Sequence, residues 1–289
     1  MSNLEIKENA VFVIDGTNLM HRHFYAKPDL TSSDGTPTGA IYGTIKMLKR
    51  YAKDFKPQQM YVCFDKHKKC FRNRIYPEYK GNRKPTDERL KKQFSLFQEF
   101  CSLANIPFVE IDGYEADDLI GSLSIKAKEY GFCPYVVSGD KDLYQLINKN
   151  IEIIYLSNKG PILFNADKFS EQYDGLKPEQ FLDFKALQGD GGDNIPGVPG
   201  IGEKTAIKLL KSFGSLDGIY DNLGQLKGKQ KENLESSKDI AYRARELATI
   251  KCDIDMDYND FFENSIEESY DFENSEVHNF LNRLDIKSI

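Results

Sequence analysis

VFVID at 11–15, MYVCFD at 60–65 and YVVSGD at 135–140 are short apolar runs, and each ends on an aspartate. They are too short for buried helices and rich in β-branched or aromatic residues, so each predicts a buried strand. PFVEI at 107–111 and IEIIYL at 151–156 read the same way. Between most of these runs lie stretches of helical period. Ile41, Ile45 and Leu48 share one face of the first, and Leu119, Ile120, Leu123 and Ala127 share one face of another. Strands alternating with helices predict an α/β core with a mostly parallel sheet.

After about residue 178 the pattern changes. Strand-like runs stop, Gly and Pro punctuate the chain, and helices are expected near 178–188, 203–213 and 229–250. The expected division is an α/β domain over 1–177 and a helical region over 178–289 that ends in an acidic tail.

The 289 residues are 40% hydrophobic and 29% charged, ordinary values for a globular chain that buries its own core. No apolar run approaches the roughly 18 residues of a membrane span. The first ten residues, MSNLEIKENA, hold charges where a secretory signal would be apolar. Membrane, secreted and fibrous classes are therefore set aside. The five cysteines, at 63, 70, 101, 133 and 252, are odd in number and lack C-x-x-C spacing. That argues for a reducing cytoplasm and against both disulfides and zinc.

The net charge of −6 conceals a split. Residues 66–92 carry eleven Lys or Arg and three acids, while 252–289 carry eleven acids and two bases. Charge must therefore be read by segment.

In an open parallel sheet the C-terminal ends of the strands face one crevice, the usual ligand site. Asp15, Asp65 and Asp140 would meet there. YEADD at 114–118 adds Glu115, Asp117 and Asp118, SGDKD adds Asp142, and GDGGD at 189–193 adds Asp190 and Asp193. Like charges about 4 Å apart repel by roughly 4 kcal/mol at an effective dielectric near 20, so protonation or cations must relieve the crowd. Taken singly, the acids of a first helical turn can serve the macrodipole, Asp140 can cap a helix, and Asp190 and Asp193 can form a turn. Taken together they point to metal. Oxygen-only ligands suit Mg²⁺ or Mn²⁺, and nine acids exceed what one Mg²⁺ takes. Two ions about 4 Å apart suit in-line phosphodiester hydrolysis.

KHKKCFRNRIYPEYKGNRK at 66–84 interleaves Phe71, Tyr76 and Tyr79 with cations, a composition for phosphates and unpaired bases. IPGVPGIGEKTAIKLL at 195–210 places Gly and Pro before an amphipathic helix. It fails as a P-loop, because Glu203 stands where Lys should follow the second Gly and no strand precedes it. A helix–hairpin–helix clamp on a DNA backbone fits better.

In order, FVIDGTNL, FDK, YPEYKGNR, YEADDLIG, GDKDLYQL and GDGGDNIPGVPGIGEKTA resemble the 5′-nucleases: phage and bacterial 5′–3′ exonucleases, flap endonucleases and the N-terminal nuclease domain of bacterial DNA polymerase I. The resemblance covers roughly 11–250. It implies a PIN-like core, a basic arch or clamp near 66–95 and a helix–hairpin–helix (H3TH) region. It implies a first ion on Asp15, Asp65, Glu115 and Asp117, a second on Asp140, Asp142, Asp190 and Asp193, and Asp118 acting through water. Lys80, Arg83 and Arg22 match catalytic cations, and Tyr79 a residue that stacks on the terminal base. A K⁺ ion would sit on the backbone carbonyls of Pro196, Val198 and Ile201. Gly200, Gly202, Lys204, Thr205, Lys84 and Arg72 would contact DNA.

Gly191 and Gly192 depart from the small polar residues frequent at their positions in the family, and in 289 residues no attached polymerase region is expected. The expectation is a monomeric, free-standing nuclease for 5′ flaps, nicks and 5′ ends. The rival readings are a DNA-junction binder that does not cut and a PIN-type ribonuclease.

Overall fold

The computed structural model describes residues 4–66, 69–264, 266 and 269–287. His67 and Lys68 of the basic segment, and Glu267 and Glu268 of the acidic tail, lie outside the described residues.

A six-stranded sheet in the order β3-β2-β1-β4-β5-β6 forms the centre. Its strands are β1 (Ala10–Asp15), β2 (Gln59–Cys63), β3 (Phe108–Val109), β4 (Cys133–Ser138), β5 (Glu152–Ser157) and β6 (Gly160–Phe164). Strands β1 to β5 pair in parallel and only β6 runs antiparallel. Both faces of β1 are covered, which is why it reads as an unbroken apolar run. Val11 and Val13 pack with Leu119, Ile120 and Leu123 of α5 (Ala116–Glu129). Phe12 and Ile14 pack on the other face, against α1 (Gly16–Ala26), α2 (Gly39–Phe55) and α4 (Glu88–Leu103). The spacing-predicted faces of α2 and α5 are the buried ones.

The sequence reading misses β6. Its Gly160-Pro161 opening reads as a breaker, but an edge strand tolerates proline. PFVEI shrinks to the two residues of β3. The expected helix near 229–250 is two, α10 (Gly228–Ser236) and α11 (Lys238–Ala248), broken at the buried Ser237. The other helices of this region are α7 (Phe181–Gln188), α8 (Glu203–Phe213) and α9 (Leu216–Asp221), preceded by a short α6 (Ala166–Gln172). Leu187, Leu210, Leu234 and Leu247 join the cluster on the α5 side of the sheet, so the helical region extends that core.

The basic segment forms a short helix, α3 (Arg72–Ile75), then turns, and enters α4 at Glu88 with Asp87 as its N-cap. From the acidic tail, α12 (Ser275–Arg283) docks on α4: Phe280 meets Phe100, and Arg283 pairs with Glu99 at 2.7 Å. No helix is long and apolar enough to cross a membrane among the described residues.

Candidate active site

Strand order reverses between β1 and β4, and the acids gather at that point. Asp15 ends β1 and caps α1. Its Oδ1 accepts from the Asn18 N–H at 2.9 Å and its Oδ2 from the Ser138 hydroxyl at 2.7 Å. Asp65 follows β2. Its Oδ1 accepts from the Ala116 N–H at 2.8 Å, while its own N–H donates to Thr17 Oγ1 at 2.9 Å. Asp140 follows β4 and accepts from the Asp142 N–H at 2.9 Å. Glu115 caps α5 and Asp117 sits in its first turn, where the helix dipole favours negative charge. Asp15, Asp65, Glu115, Asp117, Asp140, Asp142 and Asp193 line one cavity of about 590 Å³ together with Lys66, Lys80, Arg83, Lys84 and Lys91.

Burial disfavours the charged form of Asp15, Asp65, Asp117 and Asp142. Burial pushes Asp15 up to about 7 and raises Asp65 and Asp117; the charge of Asp140 adds to the rise at Asp15 and Asp117. Asp142 is pushed up to about 6 by burial, with Asp140 contributing. The charge of Asp140 thus acts on acids from both carboxylate groups. No three acidic, His or Cys side chains are already drawn into a metal cage among the described residues.

Protein cations occupy part of the site. Lys80 Nζ contacts Glu115 Oε1 and lies 3.8 Å from Asp193 Oδ2, and Arg83 pairs with Asp193. Both side chains are aimed by a seam between residues 78–83 and 191–194. Lys80 N–H donates to the Asp193 carbonyl at 2.9 Å, Asn82 to that of Gly191 at 2.7 Å, and Asn194 to that of Glu78 at 2.8 Å. Lys80 adopts the left-handed region, φ 55°, which costs a non-glycine residue about 1 kcal/mol or more. Lys185 of α7 bridges Asp142, at 2.6 Å, and Asp190.

Three expected roles need correction. Arg72 is 3% exposed: its guanidinium donates to Asp118, to Glu115 and to the carbonyls of Leu247 and Thr249 at 2.7–3.0 Å, so it cannot reach DNA. Asp118 is fully buried against Arg72 and accepts from the Glu115 and Lys251 N–H groups, away from the cavity. Tyr79 borders the cavity but is 5% exposed, and its hydroxyl donates to Glu115 at 2.8 Å. Stacking on a base needs an open ring face, so Tyr79 supports Glu115 instead. Arg22 is half-buried and donates to the Ser157 carbonyl at 2.9 Å; it does not line the cavity, whereas its neighbour His21 does.

The hairpin expected at 195–202 lies within the longer connection of residues 189–202 between α7 and α8. Here β8 (Ile195–Pro196) pairs with β7 (Gly189–Asp190), and Gly197 lies so close to Gln188 that an added Cβ would come within 2.3 Å of its carbonyl carbon. Val198 and Ile201 anchor the turn in the core, and the Ile201 N–H donates to the Val198 carbonyl at 3.1 Å. Gly200, Gly202 and Lys204 are exposed, and Thr205 is half-buried.

Sequence reasoning overlooked Lys185, His21, Asn18 and Phe94. Asn18 lies in the quoted FVIDGTNL run and its Oδ1 accepts from the Gly139 N–H at 3.1 Å, across the two central strands. Lys185 carried little local signal, because Asp190 follows it closely but Asp142 comes from a distant segment.

Residues 10–174 match the model of the 5′-3′ exonuclease N-terminal resolvase-like domain, and residues 176–268 match that of the 5′-3′ exonuclease C-terminal SAM fold. The chain belongs to the 5′–3′ exonuclease family. The chain is 42% identical over 248 residues to the DNA polymerase I of Caldicellulosiruptor bescii; the match covers 84% of the chain but 29% of the polymerase. It is 38% identical over 260 residues to the 5′-3′ exonuclease of Buchnera aphidicola, covering 87% of the chain and 90% of that protein. The solved T5 5′-exonuclease with divalent metal ions (zinc) bound superposes with a TM-score of 0.70 at 26% identity, over 94% of this chain and 98% of that one. A bacteriophage T5 flap endonuclease in a pseudo-enzyme–product complex with DNA and metal ions gives 0.68 at 26% identity, over 95% and 97%. The chain is therefore a nuclease of this family, with an α/β N-terminal domain and a C-terminal helical domain.

Proposed function

We propose that the chain is a Mg²⁺-dependent nuclease that removes 5′ flaps and shortens 5′ ends of nicked or branched DNA, in replication and repair. The observation that carries this reading is the convergence of seven carboxylates on one crevice, several of them buried without a compensating cation, beside Lys80 and Arg83. The donor set is all oxygen, which fits Mg²⁺, with Mn²⁺ as a substitute. Asp15, Asp65, Glu115 and Asp117 would hold one ion, Asp142, Asp190 and Asp193 a second, and Asp140 stands between them. Such ions stabilise the attacking and leaving oxygens of an in-line displacement.

Lys80 and Arg83 would bind the scissile phosphate. Each is paired to a carboxylate that metal would claim, so each would lose that partner and turn to phosphate oxygens. Lys66, Lys84 and Lys91 on the cavity wall would hold the strand. Thr17 and the Ala116 N–H keep Asp65 oriented through the reaction. At the hairpin, Gly200, Gly202, Lys204 and Thr205 flank the N-terminus of α8, a natural seat for a duplex phosphate. The carbonyls of Pro196, Val198 and Ile201 would hold K⁺ beside it. A monomer in the cytoplasm fits the five unbridged cysteines.

The test is a DNA with a 5′-labelled single-stranded flap, incubated with Mg²⁺, Ca²⁺ or EDTA. Flap-length product in Mg²⁺ alone is expected, and an RNA flap should be cut more slowly. Binding in Ca²⁺ without product in Mg²⁺ would replace this reading with a junction-binding protein.

A further inference from the structure

The two carboxylate groups of the crevice are not equivalent. Among the described residues, Asp15, Asp65, Asp117 and Asp140 have no cation within ion-pair distance, and Glu115 is held by Arg72 and Lys80. Lys80 belongs to the loop facing the cavity, so it can leave Glu115 for a phosphate. Asp142 and Asp190 differ. One ammonium, Lys185 Nζ, lies within hydrogen-bond reach of Asp142 Oδ1 and Asp190 Oδ2 at once.

That nitrogen takes the position a cation shared by the two carboxylates would need. An ammonium bound to two oxygens at about 2.6–2.9 Å and a Mg²⁺ at about 2.0–2.1 Å cannot both fit between the same pair. Lys185 is also not a loose surface chain. Its side chain is 13% exposed. It projects from α7, between Phe184 and Leu187 of the core, and α7 is tied down again by Asp183, which accepts from the Leu216 N–H at 2.8 Å. Asp190 and Lys185 lie outside the cavity wall, whereas Asp142 lies on it. An ion entering from the crevice therefore meets Asp142 before either Lys185 or Asp190.

We propose that Lys185 is a resident cation of the second carboxylate pair. It holds Asp142 and Asp190 together before metal arrives and competes with the second divalent ion for the place between them. The first ion then binds tightly, and the second binds only as the ammonium is displaced. This rests on the metal reading given above and adds an order of filling, with the second ion the weaker by reason of one named side chain.

Mn²⁺ alone serves as the probe, with free ion counted by electron paramagnetic resonance and no DNA present. Wild type should show one tight class and one weaker class. Lys185→Met should tighten the weaker class tenfold or more and leave the tight class in place, while Lys185→Arg should keep it weak. Asp190→Asn should remove the weaker class only, a result that stands even if Lys185→Met folds poorly. A weaker class unchanged or loosened in folded Lys185→Met overturns the proposal, as does a weaker class that survives intact in Asp190→Asn. No Mn²⁺ bound to wild type would instead overturn the metal reading itself, and that outcome is seen before any variant is made.

Discussion

The Ser138 hydroxyl at the end of β4 donates to Asp15 Oδ2 at the end of β1, at 2.7 Å. The bond spans the point where strand order reverses, and it fixes an acid that burial disfavours. Ser138 Oγ also accepts from the Asp140 N–H at 3.0 Å, so one hydroxyl positions acids from both central strands.

The metal-free protein should lose stability as pH rises. Burial lifts Asp15 from an ordinary 3.8 to about 7 in the folded state. An acid raised by folding stabilises fully below its unfolded value and loses that contribution as pH passes the folded one. In EDTA the melting temperature should therefore fall between pH 4 and pH 7. Asp15→Asn keeps a side chain able to cap α1 and should melt several degrees above wild type at pH 8, with the gap closing near pH 4. Saturating Mg²⁺ should reverse the order at pH 8. Thermal melts across pH, with and without metal, check all three, and a flat wild-type profile in EDTA would contradict the electrostatics.

Arg72→Ala should destabilise the fold by about 3–5 kcal/mol, because it strands the buried Asp118 without its guanidinium. The same change frees the carbonyls of Leu247 and Thr249, which close α11. Denaturant unfolding measures it. A change below 1 kcal/mol would mean that Arg72 is a surface cation after all.

The strands, the two amphipathic helices and the acid-bearing strand ends were readable because each is a local pattern. Asp15 and Asp65 follow apolar runs, and that position alone placed them at one end of the sheet. What stayed hidden is set by long-range pairing. Arg72 and Lys84 look alike in a basic stretch, yet one is enclosed by residues 118 and 247 and the other faces the cavity. Tyr79 and Asp118 carry the same types as true cavity residues, and only their buried partners distinguish them. Strand β6 was hidden by Pro161, which is tolerated only because its strand is the edge of the sheet.

Lys80→Met should cut flap cleavage by roughly 10²–10³ at saturating substrate, the usual loss when one donor to developing charge is removed. Flap affinity should fall much less, since Arg83, Lys84 and Lys91 still line the cavity. Single-turnover rates against binding in Ca²⁺ separate the two effects. Equal losses in both would make Lys80 a general phosphate contact rather than one tuned to the transition state.

Lys204 tests the hairpin without touching the chemistry. It is exposed in the first turn of α8, beside Gly200 and Gly202, and is absent from the cavity wall. A phosphate contact there is blind to sequence and depends on counterion release. Lys204→Ala should therefore weaken binding to a flap on duplex DNA several-fold, equally for different sequences. It should lower the slope of log affinity against log salt by about 1. Binding to a free single strand should hardly change, because the hairpin lies apart from the Lys80 and Lys84 cavity. Cleavage at saturating DNA should match wild type. Fluorescence anisotropy in Ca²⁺ over a salt series reads the first two outcomes and a single-turnover assay the last. An unchanged salt slope would move the duplex phosphate elsewhere on the helical region, and a lower saturated rate would mean that the hairpin also sets how DNA is presented to the carboxylates.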